Sequence, residues 1–221
     1  MTLSNFKNIG LRERKIANKK IEILNIMLKK TVEKNFIELS IKEICDEAMI
    51  SEGTFFNYFP KKSDLLNYFI QLWSYQSYYL TEKEFGRQSG LKKIEHFFHC
   101  TSNRKTIGNK RILYEIISNI ALEDNNDPFA NSNISKAELL AAFPDYPGIE
   151  SIRIENFNDI YMEYIRLAIE LGELKENIDI NIIMLSLGSI FYGVPIILKD
   201  NPEMIMKTYS IMLNNLWKIF S

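Results

Sequence analysis

Residues 40–66, SIKEICDEAMISEGTFFNYFPKKSDLL, restrict the fold more than any other part of this chain. Ser40 followed by Glu43 is a capping box, in which a hydroxyl and a carboxylate satisfy N–H groups that a helix start leaves without partners. Ile41, Ile44, Cys45 and Ala48 then recur at helical spacing and predict one buried face. Ser51 is a second N-cap, with Gly53-Thr54-Phe55-Phe56 opening the next helix. Phe55 and Phe59 share a face and predict burial against the preceding helices, leaving Glu52, Gly53, Thr54, Asn57 and Tyr58 outside. A Phe-Pro-Lys-Lys break leads into a third helix. Two short helices joined by a tight turn, apolar within and polar without, form the plan of a helix-turn-helix, whose second helix enters the DNA major groove.

The stretch from about residue 15 to 70 resembles the DNA-binding domain of the tetracycline-repressor (TetR-like) family of bacterial transcriptional regulators. Asn35-Phe36, Ser40-Ile41, Ala48-Met49-Ile50-Ser51, Gly53-Thr54-Phe55-Phe56-Asn57-Tyr58-Phe59 and Lys62 follow the family pattern in order and spacing. Four positions depart from it. Asn35 stands at a usual glycine, and Asn tolerates a left-handed backbone. Met49 replaces a small turn residue. Phe56 stands at a phosphate-binding tyrosine, and Tyr58 occupies the usual histidine position.

Charge distribution agrees with a nucleic-acid partner although the net charge of −1 does not. Residues 1–62 hold 12 Lys/Arg against 8 Asp/Glu, and the remainder holds 15 against 20. Arg12, Arg14, Lys15, Lys19 and Lys20 crowd the N-terminal arm, which is expected to add diffuse attraction to DNA. A basic head on an acidic body suits a DNA-binding module joined to a ligand or dimerisation domain. Cys45 and Cys100, both within helical apolar patterns, point to a reducing cytoplasm rather than a disulfide framework. No signal peptide is expected, because no apolar run follows the N-terminal positive charges.

The pattern predicts an all-α chain of about nine helices, divided into residues 1–62, a three-helix DNA-binding domain, and 63–221, a ligand-binding and dimerisation domain. A first helix is expected over 14–34, with Ile16, Ile23, Leu24, Met27, Leu28 and Thr31 inward. A long fourth helix carries Leu65, Leu66, Phe69, Ile70 and Trp73 inward and links head to body. Further helices are expected over 91–100, 110–123, 135–143 and, as the longest pattern, 149–172, with DNNDPFANSN as a polar loop. Residues 180–198 carry no charge and approach the length of a bilayer span. Their Asn181, Ser186, Ser189, two glycines and Pro195 favour a helix buried on both sides in a soluble protein, bent or ended at Pro195. On the last helix, Ile205, Tyr209, Met212, Leu216 and Ile219 form one apolar stripe and Met206, Leu213, Trp217 and Phe220 a second. Two stripes predict two partners, the chain's own core and a second copy, with Ser186, Ser189 and Gly193 permitting close approach. The resemblance implies the same homodimer.

For DNA, Ser40, Lys42, Ser51, Tyr58 and Lys62 are expected on phosphates, and Glu52, Thr54 and Asn57 on base edges, with Gly53 allowing close approach. His96, His99 and Cys100 invite a metal, but no fourth ligand pattern accompanies them, so pocket or core roles are the expectation. No phosphate loop, dinucleotide fingerprint, nucleophile elbow or carboxylate pair is present, which argues against an enzyme, and no cofactor is expected. The resemblance implies a small-molecule cavity in the body, for which Phe97, His99, Tyr114, Phe157, Tyr161, Tyr164 and Phe191 are the candidates and an apolar or aromatic compound the ligand. These readings combine into a cytoplasmic, homodimeric repressor, released from a palindromic double-stranded operator by a small molecule. The alternative is the same fold binding small molecules or partners without sequence-specific DNA recognition.

Overall fold

The computed structural model describes residues 6, 8–101, 112, 114–117, 134–199 and 201–221. Among the described residues all regular structure is helical: α1 (Leu11–Lys30), α2 (Ile41–Ala48), α3 (Glu52–Tyr58), α4 (Asp64–Phe85), α5 (Gly90–Cys100), α6 (Lys136–Ala142), α7 (Phe157–Glu170), α8 (Ile180–Leu198) and α9 (Pro202–Phe220). Short 3-10 turns occupy Phe36–Glu38 and Ile149–Ser151. Of the helix expected over 110–123, Ile112 and residues 114–117 are helical; the rest of it and the DNNDPFANSN stretch lie outside the described residues.

The helices form two compact units, residues 1–76 with 119–153 and residues 77–118 with 154–221. The first is larger than the 1–62 head read from sequence, because α6 packs along α1. In it α1 buries Ala17, Ile23, Leu24, Ile26 and Met27. Of the expected inner stripe Ile23, Leu24, Met27 and Thr31 are buried, whereas Ile16 is exposed and Leu28 only half-buried. Phe55, Phe59, Ile44, Ala48, Leu65 and Leu66 close the core from the helix-turn-helix and α4. Lys20 is turned inward, its ammonium paired with the buried Glu138 of α6 and lying 4.4 Å from the Tyr68 ring centroid. A charge held this way is stable only with both partners present.

In the second unit α5 and α7 approach so closely that a Cβ on Gly90 would lie 2.2 Å from the Tyr164 carbonyl oxygen. The Glu173 carboxylate accepts from the N–H groups of Gly90 and Leu91 and from the Ser89 hydroxyl, satisfying the start of α5. The pattern expected as one helix over 149–172 is interrupted: a 3-10 turn, an irregular stretch over residues 152–155 and an Asn156 N-cap precede α7. Gly172, at φ 70°, ends that run as expected.

Pro195 neither ends nor interrupts α8, which continues to Leu198. Proline cannot donate to the carbonyl four residues back, that of Phe191. The buried Tyr209 hydroxyl of α9 donates to that oxygen instead, at 2.9 Å. The α8 helix is also not buried on both sides. Ile183, Leu187, Ile190, Phe191 and Val194 face the core, whereas Ile182, Leu185, Ile196 and Ile197 are exposed. By length and hydropathy α8 could cross a bilayer, and a third of its apolar window is buried by the protein. The stripes of α9 regroup likewise. Ile205, Tyr209, Leu213, Leu216 and Trp217 turn inward, and Met204, Ile211, Met212 and Ile219 turn out.

Candidate nucleic-acid interface

Two serines set the geometry of the helix-turn-helix. Ser40 Oγ accepts from the Glu43 N–H at 3.1 Å, and the Glu43 carboxylate accepts in return from the Ser40 N–H at 2.8 Å. Hydrogen bonding from Lys34, then from Ser40, holds the Glu43 carboxyl at about 2. Ser51 Oγ accepts from the Thr54 N–H at 3.1 Å and fixes the start of α3. Between the two helices Met49 takes a left-handed backbone, φ 52°, and its side chain is 86% exposed. That conformation is uncommon outside glycine, asparagine and aspartate. Asn35, where it was allowed for, has φ −67° and begins the 3-10 turn instead, its N–H donating to Glu38.

On α3, Phe55 is fully buried, and Phe59, just beyond its end, is nearly so, while Glu52, Gly53 and Asn57 are exposed and Thr54 and Tyr58 are half-buried. Thr54, Asn57 and Tyr58 line a surface concavity of about 660 Å³ whose other wall is Leu11, Arg12, Lys15 and Ile16 of α1. Arg12 and Lys15 were read from sequence as diffuse attraction; the structure puts them beside the polar flank of α3. Their spacing is consistent with one helix face, but only the approach of α1 to α3 selects that face.

The remaining basic residues of the head are largely committed to the protein itself. Lys19 Nζ donates to the Ala48 carbonyl and pairs with Glu22, Lys29 and Lys30 pair with Glu47, and Lys34 pairs with Glu43. Lys62, expected on a phosphate, donates to the carbonyls of Phe36 and Ile37 and lies 4.5 Å from the Phe36 ring centroid. It closes the 3-10 turn. Lys42 is exposed. Phe56, without a hydroxyl, is 42% exposed and meets Phe55 edge-on at 5.6 Å.

The candidate ligand residues of the second unit are packed on one another. Phe97 and Phe98 contact Tyr161, and Phe98 meets Phe191 at 5.3 Å and Tyr209 at 5.0 Å. Tyr164 is fully buried and stacks on Tyr78, and burial drives its phenol upward, as it does that of Tyr161. Tyr114 is exposed, and the Phe157 side chain lies outside the described residues. His96 and His99 turn to different partners: Nδ1 of His96 to Thr81 Oγ1 at 2.8 Å, and Nε2 of His99 to Ser210 Oγ at 3.1 Å. Burial lowers His96 and pushes the Cys100 thiol up to about 11. Among the described residues no three His, Cys, Asp or Glu side chains converge as a metal-ligand group. Sequence reading missed the pair formed by buried Lys93 and half-buried Glu82 at 2.7 Å, because the two residues lie on different helices.

Of the residues expected at a dimer interface, Ile205, Tyr209 and Leu216 lie inside their own chain, whereas Met212 and Ser189 are exposed and Ser186 and Gly193 half-buried. Ser186 and Ser189 hydroxyls donate to the carbonyls of Ile182 and Leu185.

Residues 31–69 match the family model described as bacterial regulatory proteins, tetR family. Among solved structures, a TetR family transcriptional regulator from Chloroflexus aurantiacus J-10-FL is similar, at 14% identity, over 98% of this chain and 94% of that one, with a TM-score of 0.43. No curated protein matches the chain.

Proposed function

We propose that this chain, whose helix-turn-helix is of the tetR type, is a homodimeric transcriptional repressor that binds a palindromic operator and leaves it when a small molecule binds. The observation that carries the reading is α3, N-capped by Ser51, with its polar flank facing Arg12 and Lys15 across one concavity. Cations for phosphates and polar groups for base edges then share one surface, which is what a groove-reading helix requires. In the bound dimer the two α3 helices would be about 34–36 Å apart, one turn of duplex.

Support for the dimer comes from α8 and α9. Their outward residues Ile182, Leu185, Ile196, Met204, Ile211 and Ile219 are exposed and uncharged. Exposed apolar side chains in this number on two helices that pack together are costly in water, and a second copy would relieve the cost. The effector proposal rests on the aromatic cluster of the second unit, which an apolar or flat aromatic compound would enter by parting the rings. Release would follow if the compound binds better to a dimer with altered head separation, with α4, continuous through both units, carrying the change.

Selection of bound sequences from random duplex DNA tests the reading. Asn57→Ala should relax preference at one position, and Lys42→Ala should weaken all sequences alike and flatten the salt dependence. Leu185→Glu should convert the dimer to monomer in sedimentation. The second reading, a small-molecule or interaction protein without operator recognition, draws support from Lys62, whose ammonium is engaged within the protein, and from Phe56. No enrichment of any sequence at low salt would favour it.

A further inference from the structure

We propose that Phe56 is a specificity-determining residue that reads thymine in the operator through its 5-methyl group. The inference rests on the DNA-binding reading above and adds what one flank of α3 recognises.

The two flanks of α3 differ in chemistry. Thr54, Asn57 and Tyr58 face the concavity with Arg12 and Lys15, so hydrogen bonds and cations are concentrated there. Phe56 stands on the other flank, one turn after Glu52 and Gly53. Its ring meets Phe55 edge-on, 5.6 Å between centroids and 90° between planes, and Phe55 is itself fully buried against Phe59. The inner edge of Phe56 is therefore held by the core, which fixes where the outer edge points. That outer part is open, with 42% of the residue exposed. Gly53, on the same flank, removes the obstacle to approach: a Cβ there would have Ser51 Oγ at 3.8 Å as its nearest neighbour.

A phenyl edge offers a phosphate nothing in exchange for its lost water. In the major groove the base edges present donors, acceptors and a single apolar group, the thymine methyl. An immobilised aromatic ring on a groove-facing helix gains free energy there only by excluding water against that methyl. The ring thus converts a position that would steady the backbone into one that discriminates bases.

Replacing thymine by uracil removes the methyl and leaves the pairing edge and O4 intact, which makes the test selective. The full chain is titrated against its selected duplex and against duplexes with each thymine in turn replaced by uracil. Loss of one buried methyl contact should weaken binding about fourfold at one half-site and about fifteenfold when both are replaced. In Phe56→Ala the thymine-to-uracil ratio at that position should fall to about one, while other positions keep theirs. Phe56→Leu, which retains an apolar tip, should keep part of the discrimination and controls for loss of fold. Equal binding of thymine and uracil duplexes everywhere, or a ratio unchanged in Phe56→Ala, overturns the assignment and leaves the DNA-binding reading intact. Binding to no duplex at all overturns both.

Discussion

The continuation of α8 through Pro195 depends on a hydroxyl from another helix, and that dependence can be measured. Tyr209→Phe deletes the oxygen that donates to the Phe191 carbonyl at 2.9 Å in a fully buried site. Removing one partner of a buried hydrogen bond costs about 1–3 kcal/mol, chiefly the desolvation of the group left behind. The Thr101 hydroxyl also neighbours the phenol, so the single substitution does not isolate the carbonyl. A second substitution does. In Pro195→Ala the new N–H lies four residues after Phe191 in an intact helix and donates to the same oxygen. Tyr209→Phe should therefore cost about 2 kcal/mol with proline present and at least about 1 kcal/mol less with alanine. The Thr101 contribution is equal in both backgrounds and cancels. Urea unfolding of the four proteins, followed by circular dichroism at one protomer concentration, gives the coupling. A cost for Tyr209→Phe that agrees between backgrounds within about 0.3 kcal/mol would refute the assignment of Tyr209 as the substitute donor.

Other substitutions probe the head and the helix contacts. Glu138→Leu should destabilise by about 2 kcal/mol, because it leaves the half-buried Lys20 without its carboxylate, whereas Lys20→Met with Glu138→Leu should return near the parent in the same unfolding assay. Burial raises the Glu138 carboxyl, but the charge and hydrogen bond of Lys20 and the bonds from Ser135 outweigh it, so the net shift is downward. Glu43 is likewise depressed, from an ordinary 4.5 to about 2, so its contribution to the α2 cap is complete above pH 4.5 and lost as pH falls through about 2. The Ser40 amide resonance should follow that titration, and a midpoint near 4.5 would contradict the capping box. Gly90→Ala should cost at least about 3 kcal/mol, since its Cβ would lie 2.2 Å from a backbone oxygen. Gly188→Ala, with open space around its Cβ, should stabilise by about 0.5–1 kcal/mol.

Local chemistry was legible in the residues. Ser40 and Ser51 are N-caps because their side chains reach only a few atoms along their own chain. Helix period placed Phe55 and Phe59 inside and Asn57 outside. Side chains that reach across the fold were not legible. Lys20 reads as one more basic residue of an arm, yet it is held by Glu138, far away in sequence. Lys62 reads as a phosphate contact, yet it bonds the carbonyls of Phe36 and Ile37. Ile205 and Met212 read as one stripe on α9, and packing turned them to opposite environments. A proline in an apolar run reads as a break, because the run contains nothing that shows Tyr209 waiting on the next helix.

By itself the sequence determined that the chain is helical and that residues 40–59 form a capped helix-turn-helix, since caps, turns and period act within a few residues of their cause. Tertiary structure decided which cations remain for a partner, which apolar face of α8 stays open, and that α8 continues past its proline. Each of those outcomes depends on a group supplied from a distant part of the chain, and a linear pattern holds no record of which distant groups come together.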